Sequence, residues 1–400
     1  MKWLACFTAI VIILVSFCMT DYYIGRFIAR KRGKPPQSPL RKSDITLLVR
    51  GTDLFIQYFD DLYNARSSIH VLFYIVRNDS FGKLFFDILM DRAKSGVKVR
   101  LLLDWFGSRT VSKQLIQKAR RNGVEVHYCN TPRLPFLFFT LQRRNHRKIT
   151  VIDGKIGYVG GYNIGEEYID LDSLLSPWRD YHLRIEGTGT ADLQSVFLRD
   201  WKRATGVTDF DEQALFPSLA EGPITHRFFP TEGVGAEEEI IRHIEKATNS
   251  IFIGTPYFIP PKKVMASLEK ALENNVKVTI LVPRMSDHPI VKEASFPYLR
   301  KILAKGGTVY QYKEGFFHAK VLLFDDAVCD IGTANFDYRS LLLNKEINCF
   351  IYDHEFIAHV KKIIAEDIMQ STQLSHRDLQ AVNIRFRIIE WIGGLIKGLL

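Results

Sequence analysis

Cysteine is scarce in this 400-residue chain: Cys6, Cys18, Cys129, Cys329 and Cys349 make an odd number, with no C-x-x-C pair and no metal-ligand spacing. Neither a disulfide framework nor a zinc site is indicated, and a reducing compartment is the simpler reading. Acidic residues are also in deficit, 44 against 54 Lys and Arg, which leaves a formal net charge of +10. The excess implies an anionic partner, phospholipid surface or nucleic acid, and composition does not choose between them. Apolar residues are not lacking. At 46% of the chain they exclude disorder and suffice for two sizeable cores in two or three domains.

Charge is missing from residues 3–19, about the shortest run that spans a bilayer as a helix. A clean small-x-small cleavage site is missing too, and Phe17 stands where a lipoprotein signal needs a small residue before Cys18. The expectation is therefore a retained anchor (residues 1–20) rather than a cleaved signal. Lys2 stands on one side, and Arg26, Arg30, Lys31, Arg32, Lys34, Arg41 and Lys42 crowd the other. The positive-inside rule then places the catalytic part in the cytoplasm, under a single-pass cell-membrane anchor. The basic run can dock on anionic head groups. Pro35, Pro36 and Pro39 make residues 21–43 read as an extended linker.

From Asp44 the periodicity becomes α/β. Helical spacing is expected over 53–65 and 84–93, and strands over 69–75 and 97–103. The order recurs with helices over 237–247 and 264–273 and strands over 251–255 and 276–282. Wording echoes as well: ARSSIHVLFY at Ala65 is answered by ATNSIFIGTPY at Ala247. An internal duplication is the economical explanation, giving two α/β domains (44–210 and 233–400), each a mostly parallel mixed sheet between helices. Gly206, Pro217, Gly222 and Pro230 place the join between Thr205 and Gly233, with 211–232 as linker.

Within the first half, residues 145–163 read NHRKITVIDGKIGYVGGYN. His146, Lys148, Asp153, Gly160 and Asn163 have counterparts at the same offsets in His318, Lys320, Asp325, Gly332 and Asn335. Three specified residues match by chance at roughly one start position in several thousand. Two copies sharing five positions suggest one site built from two halves. Alternation puts each His and Lys on one face of a strand, and each Asp at the turn that follows. There the Asp reads as holding the turn, with direct chemistry as the alternative.

This H-x-K-x4-D pattern resembles the phospholipase D superfamily. With GGYN after the first motif and GTAN, DYRS and NKE after the second, the chain is similar to bacterial cardiolipin synthases over residues 43–352. The resemblance implies a catalytic set of His146, Lys148, Asp153, His318, Lys320 and Asp325, with His146 as nucleophile and His318 as acid/base. It implies phosphatidyl transfer from one phosphatidylglycerol to another, giving cardiolipin and glycerol. The chemistry fits: displacement at a phosphodiester needs clamped non-bridging oxygens and a proton for the departing alkoxide. Lys148, Lys320, Asn163 and Asn335 can supply donors, one imidazole can attack, the other can protonate, and neither metal nor cofactor is required. Hydrolysis at the same site, as a phospholipase D or a membrane-tethered nuclease, is the alternative. A nuclease would favour basic, stacking surfaces, and the apolar stretches over 132–139 and 384–400 speak against one, so no nucleic-acid partner is expected.

A reacting imidazole also needs an acceptor on its other nitrogen. Asp180 in WRDYHLRI is the candidate for His146 and Glu346 in NKEINCFI for His318, each against the plainer reading of a surface ion pair. Arg339 and Ser340 can add phosphate contacts or form a turn. Ser286-Asp287-His288 cannot be a triad, because contiguous side chains diverge, and reads as a loop lining the site. His70, His182, His226, His243 and His376 read as packed or surface residues, and Cys129 and Cys349 as core. Residues 132–139 (PRLPFLFF) read either as a buried strand or as an acyl-chain contact, and the prolines favour the latter. Residues 384–400 carry a helical apolar stripe with Arg385, Arg387 and Lys397 beside it, suited to a membrane interface or to docking on the second domain.

Overall fold

The computed structural model describes residues 2–33, 38–288 and 291–380, with Glu390 and Gly394; the apolar stripe expected over 384–400 lies otherwise outside the described residues. The first half contributes β1 (Arg41–Arg50), α2 (Gly51–Asn64), β2 (Ser68–Phe73), α3 (Ser80–Lys94), β3 (Lys98–Asp104), α4 (Lys113–Arg121), β4 (Glu125–Cys129), α5 (Leu137–Gln142), β5 (Ile149–Ile152), β6 (Ile156–Gly160), β7 (Trp178–Gly187) and α6 (Thr190–Thr205), after an N-terminal α1 (Lys2–Arg32). A short α7 (Glu212–Leu215) leads to the second half. There follow β8 (Ile224–Glu232), α8 (Ala236–Lys246), β9 (Ser250–Gly254), α9 (Lys262–Glu273), β10 (Lys277–Pro283), α10 (Val291–Ala304), β11 (Thr308–Tyr312), β12 (Phe316–Phe317), β13 (Val321–Phe324), β14 (Val328–Gly332), α11 (Tyr338–Leu342), β15 (Lys345–Ile351), α12 (His354–Met369) and β16 (Ser371–Leu374).

Among the described residues all sixteen strands join one sheet, in the order β16-β11-β10-β9-β13-β14-β15-β8-β1-β7-β6-β5-β2-β3-β4, with β12 added beside β7. The duplication is visible in that order: β1-β7-β6-β5-β2-β3-β4 is matched by β8-β15-β14-β13-β9-β10-β11, and the halves meet where β1 pairs antiparallel with β8. Apart from isolated bridges, parallel pairing among the described strands is confined to β2-β3-β4, β9-β10-β11 and the β12–β7 contact. The mostly parallel sheet expected from alternating strands and helices is therefore replaced by a mixed one richer in antiparallel pairs. Each motif forms a hairpin (β5–β6, β13–β14), and the return strand pairs against it.

Local sequence explains the elements. Every residue of β2 is buried, as a central strand rich in branched and aromatic side chains requires. Asp79, Ser112 and Asp353 cap α3, α4 and α12 by accepting from the amides of Gly82, Leu115 and Phe356. One face of the sheet carries a single core that crosses both halves, under Phe197 and Trp201 of α6 and Phe356 and Val360 of α12. The other face carries two separate cores, one per half. The shared core makes the two halves one folding unit around the seam.

Two boundaries differ from the sequence reading. Residues 21–43 are no simple linker, because α1 continues to Arg32 and β1 starts at Arg41. At about 1.5 Å per residue the helix outruns a hydrocarbon layer of roughly 30 Å. Its far end packs on protein instead: Asp21 Oδ2 accepts from the Phe139 amide at 2.8 Å, and Tyr22 packs with Phe139 and Leu343. Likewise 224–232 is not linker but β8. Pro230 is accommodated opposite Ile347, beyond the stretch of β8 that β1 covers.

Candidate active site

His146 and Lys148 lie just before β5, and His318 and Lys320 just before β13, so the ladder begins one residue after each Lys rather than including the pair. The backbone is nonetheless held across the seam. The His146 amide donates to the Lys345 carbonyl at 2.9 Å and the His318 amide to the Arg179 carbonyl at 2.7 Å. Alternation puts the two side chains of each pair on one face, with Lys148 Nζ 3.0 Å from His146 Nε2, and Lys320 Nζ 2.5 Å from His318 Nδ1 and 3.2 Å from its Nε2.

Each imidazole leans on a carboxylate through its other nitrogen, and the partners are exchanged relative to the sequence assignment. His146 Nδ1 is 3.0 Å from Glu346 Oε2 and 3.1 Å from the Thr333 carbonyl, whereas His318 Nδ1 is 2.5 Å from Asp180 Oδ2. The acid that follows a motif in the chain stands at the end of the return strand, where the other half's histidine crosses the seam. When Lys148 is charged it donates to Nε2 of His146, and Nδ1 then carries the proton and donates to Glu346. Thr333 Oγ1 also donates to Glu346 Oε2, at 2.6 Å. At the equivalent position the first half has Gly161, where a Cβ would meet Asp180 Oδ1 at 1.9 Å, so glycine makes room for that carboxylate.

Both histidines line one cleft of about 710 Å³ between the halves, together with Tyr74, Arg109, Asn163, Trp178, Tyr257 and Asn335 among others. Burial lowers the His146 imidazole below its ordinary value; Glu346 opposes this and Lys148 adds to it. Burial, then the Lys320 charge, brings His318 down to about 4 despite Asp180. Burial brings Lys148 to about 7, against the pull of Glu346, and lowers Lys320 as well. For Asp180 burial acts upward, but Lys320 and His318 outweigh it and hold the carboxyl low.

The motif aspartates do not face this cleft's chemistry. Asp153 accepts from the amides of Arg66, Ser67 and Ser68 at 2.7 to 2.9 Å. Asp325 takes those of Thr248, Asn249 and Ser250 at 2.8 to 2.9 Å. Both have φ of 54° at hairpin tips, so they pin the turn to the start of β2 or β9, and their place in the catalytic set is corrected to a structural one. Asn163 is also engaged: its carbonyl takes the Ile75 amide at 3.1 Å and its amide donates to Tyr168 at 3.3 Å. Asn335 keeps a buried Oδ1 without a hydrogen bond. Arg339 donates to the Gln142 side chain and carbonyl, tying α11 to α5, and the Ser340 amide is capped by Asp337. Asp287 and His288 line the cleft, and Tyr257 donates to Asp287 at 2.6 Å.

Two aromatic walls escaped the sequence reading. Tyr74 packs edge-on to His146 at 4.8 Å, and Trp178 lies 4.9 Å from His318, with Tyr257 at 6.4 Å. The signal was present, since the two echoing segments both end in these tyrosines. His70, His182 and His226 are buried as expected, and so are Cys129 and Cys349. Residues 137–142 form a helix rather than a strand: Phe139 is buried against α1, Phe138 is half-buried, and Leu134 and Leu137 remain 79% and 50% exposed.

The family model described as cardiolipin synthase, phospholipase D-like domain, matches residues 58–201 and 240–368, one block for each half of this site. The chain belongs to that family. It is 43% identical over 384 residues to the minor cardiolipin synthase ClsB of Bacillus subtilis, covering 96% of each chain. Against a cardiolipin synthase of Geobacillus it is 38% identical, covering 93% of this chain and 75% of the relative. In fold this cardiolipin synthase-family chain is similar to phosphatidylserine synthase of Haemophilus influenzae, with a TM-score of 0.74 at 16% identity over 94% of this chain and all of the other. Among the described residues no cluster of His, Cys, Asp and Glu could hold a metal ion.

Proposed function

We propose that this protein is a cardiolipin synthase that moves a phosphatidyl group between two phosphatidylglycerols through a histidine-bound intermediate. One observation carries the reading: two imidazoles, each held through Nδ1 by a carboxylate of the other half, share one cleft with a lysine against each ring. His146 Nε2 attacks phosphorus, the bond from phosphorus to the glycerol oxygen breaks, and protonated His318 gives its proton to the departing glycerol. The free hydroxyl of a second phosphatidylglycerol then loses its proton to His318 and attacks, breaking the P–N bond to release cardiolipin. Lys148 and Lys320 neutralise the non-bridging oxygens.

The setting suits a substrate that stays in a bilayer. Within α1, Cys6–Lys31 is long and apolar enough to cross a membrane, with mean hydropathy 1.9 and little burial. Its C-terminal end carries Arg26, Arg30 and Lys31, with Arg32 next, and this end leads into the catalytic part, which favours a cytoplasmic site on the positive-inside rule. The docking of α1 on α5 puts exposed Leu134 and Leu137 near the apolar helix, in the same segment as the cleft-lining Leu141, which supports a lipid contact there. The purified protein in phosphatidylglycerol vesicles should form cardiolipin and release glycerol in equal amounts. Phosphatidic acid as the main lipid product would instead make it a hydrolase.

A further inference from the structure

Each carboxylate that holds a histidine follows a basic residue whose side chain turns to the opposite face of the strand. Beside Glu346, Lys345 Nζ lies 2.8 Å from Asp200 Oδ1, on α6 of the first half. Beside Asp180, Arg179 Nε donates to Asp367 Oδ1 at 2.9 Å, on α12 of the second half. Asp200 and Asp367 are each 1% exposed, under the core that crosses the seam. The chains of contact run Asp200–Lys345–Glu346–His146 and Asp367–Arg179–Asp180–His318, and each leaves a half and returns to it. Resting on the reading of His146 and His318 as the reacting pair, we propose that Asp200 and Asp367 are positioning residues, each fixing through an ion-paired cation the strand whose carboxylate orients one histidine.

The two clamps are not copies. Asp200 also accepts from Arg147 Nη1 at 2.6 Å and Asn145 Nδ2 at 2.9 Å, which flank His146, and Arg147 spans on to the carbonyls of Glu346 (3.0 Å) and Thr231 (2.7 Å). In the second half Ala319 stands in place of Arg147, and Asp367 takes the Tyr181 hydroxyl at 2.7 Å. Asp200 thus holds both the strand of the orienting acid and the segment bearing the histidine, whereas Asp367 holds only the former. Removing a buried charge leaves its partner uncompensated, so both side chains also contribute to stability. The test must therefore separate the two effects.

Full-length protein in detergent, with nitrogen-15-labelled histidine, would be compared with Asp200→Asn and Asp367→Asn. The expected result is a fall in kcat of about 10- to 100-fold, the range for partners that orient a reacting group, with KM for phosphatidylglycerol within about two-fold. The His146 titration should move in Asp200→Asn alone and that of His318 in Asp367→Asn alone. The pair Asp367→Asn with Arg179→Gln removes both charges of the ion pair and should regain thermal stability without regaining kcat or the His318 titration. Recovery of kcat with stability in that pair, or wild-type titrations in the single variants, would overturn the proposal. If Asp367→Asn does not fold, the paired variant decides by the same readings. The titrations are read without turnover, so they test the clamps even if the product is not cardiolipin.

Discussion

Glu346 belongs to the second half of the chain and His146 to the first, yet Glu346 Oε2 accepts the Nδ1 proton of His146 at 3.0 Å. Asp180 of the first half serves His318 of the second in the same way. Neither half can therefore present a correctly oriented imidazole alone. Glu346→Gln and Asp180→Asn should each lower kcat by ~100-fold or more while the fold survives, as loss of an orienting acid does elsewhere. Steady-state rates on phosphatidylglycerol micelles check this, and retention of wild-type kcat in either variant would remove the acid from the mechanism.

The pKa directions imply proton uptake on binding. Burial and the lysine charges lower both imidazoles, so both are neutral near pH 7 in the free protein. The phosphodiester anion offsets Lys148 and Lys320, which raises the imidazoles and lets His318 take the proton it must later donate. Calorimetry with a soluble short-chain phosphatidylglycerol, in buffers of different ionisation enthalpy, should show net uptake at pH 7. The uptake should fall in His318→Gln to the share that Lys148, brought to about 7, takes up beside the same anion, and proton release would contradict the assignment.

Stability should fall on the acid side for a reason remote from the site. His70 is brought to about 3, first by burial and then by the Arg100 charge, whose Nη1 donates to its Nε2 at 3.2 Å. His182 is brought equally low, mainly by burial. A folded pKa below the unfolded value of 6.5 means that the unfolded chain binds more protons between those pH values. Their contribution is present above pH 6.5 and is lost as pH falls toward 3. Thermal midpoints measured from pH 7 to pH 4 should decline, and the decline should be shallower in His70→Gln.

The anchor contact separates two roles within one short segment. Phe139 is buried against Tyr22, so Phe139→Ser should lower the thermal midpoint; truncating a buried Phe costs about 3 to 5 kcal/mol in a core. Leu134→Ser with Leu137→Ser should leave the midpoint nearly unchanged yet reduce activity on vesicles more than on micelles. Removing residues 1–20 leaves the α1 docking contacts intact, so micellar activity should persist while vesicle binding becomes weak and sensitive to salt. Binding indifferent to salt would refute the electrostatic part.

Much of this was legible in the sequence because it is local. The H-x-K-x4-D offsets, the hairpin tips at Asp153 and Asp325, and the repeated order of strands and helices follow from spacing alone. What was not legible depends on the seam. Asp180 lies nearer His146 in the chain, but β12 beside β7 and the Asn145–Lys345 bridge set the start of each return strand against the other half's histidine and exchange the acids. Residues 21–32 read as linker because their basic charge dominates, whereas packing of Tyr22 on Phe139 extends the helix. The buried cations Arg147 and Lys345 look like surface charge until Asp200, dozens of residues away from either, is brought beneath them.

The central claim is that His146 and His318 act on one phosphorus, with His146 carrying the phosphatidyl group between steps. Enzyme mixed with headgroup-adjacent phosphorus-labelled phosphatidylglycerol, quenched within one turnover in alkaline denaturant and digested, tests it most directly. The account predicts acid-labile, base-stable label on the peptide containing His146, absent in His146→Ala. Label on His318 alone would reverse the roles, and cardiolipin formation with no labelled histidine would contradict the covalent mechanism.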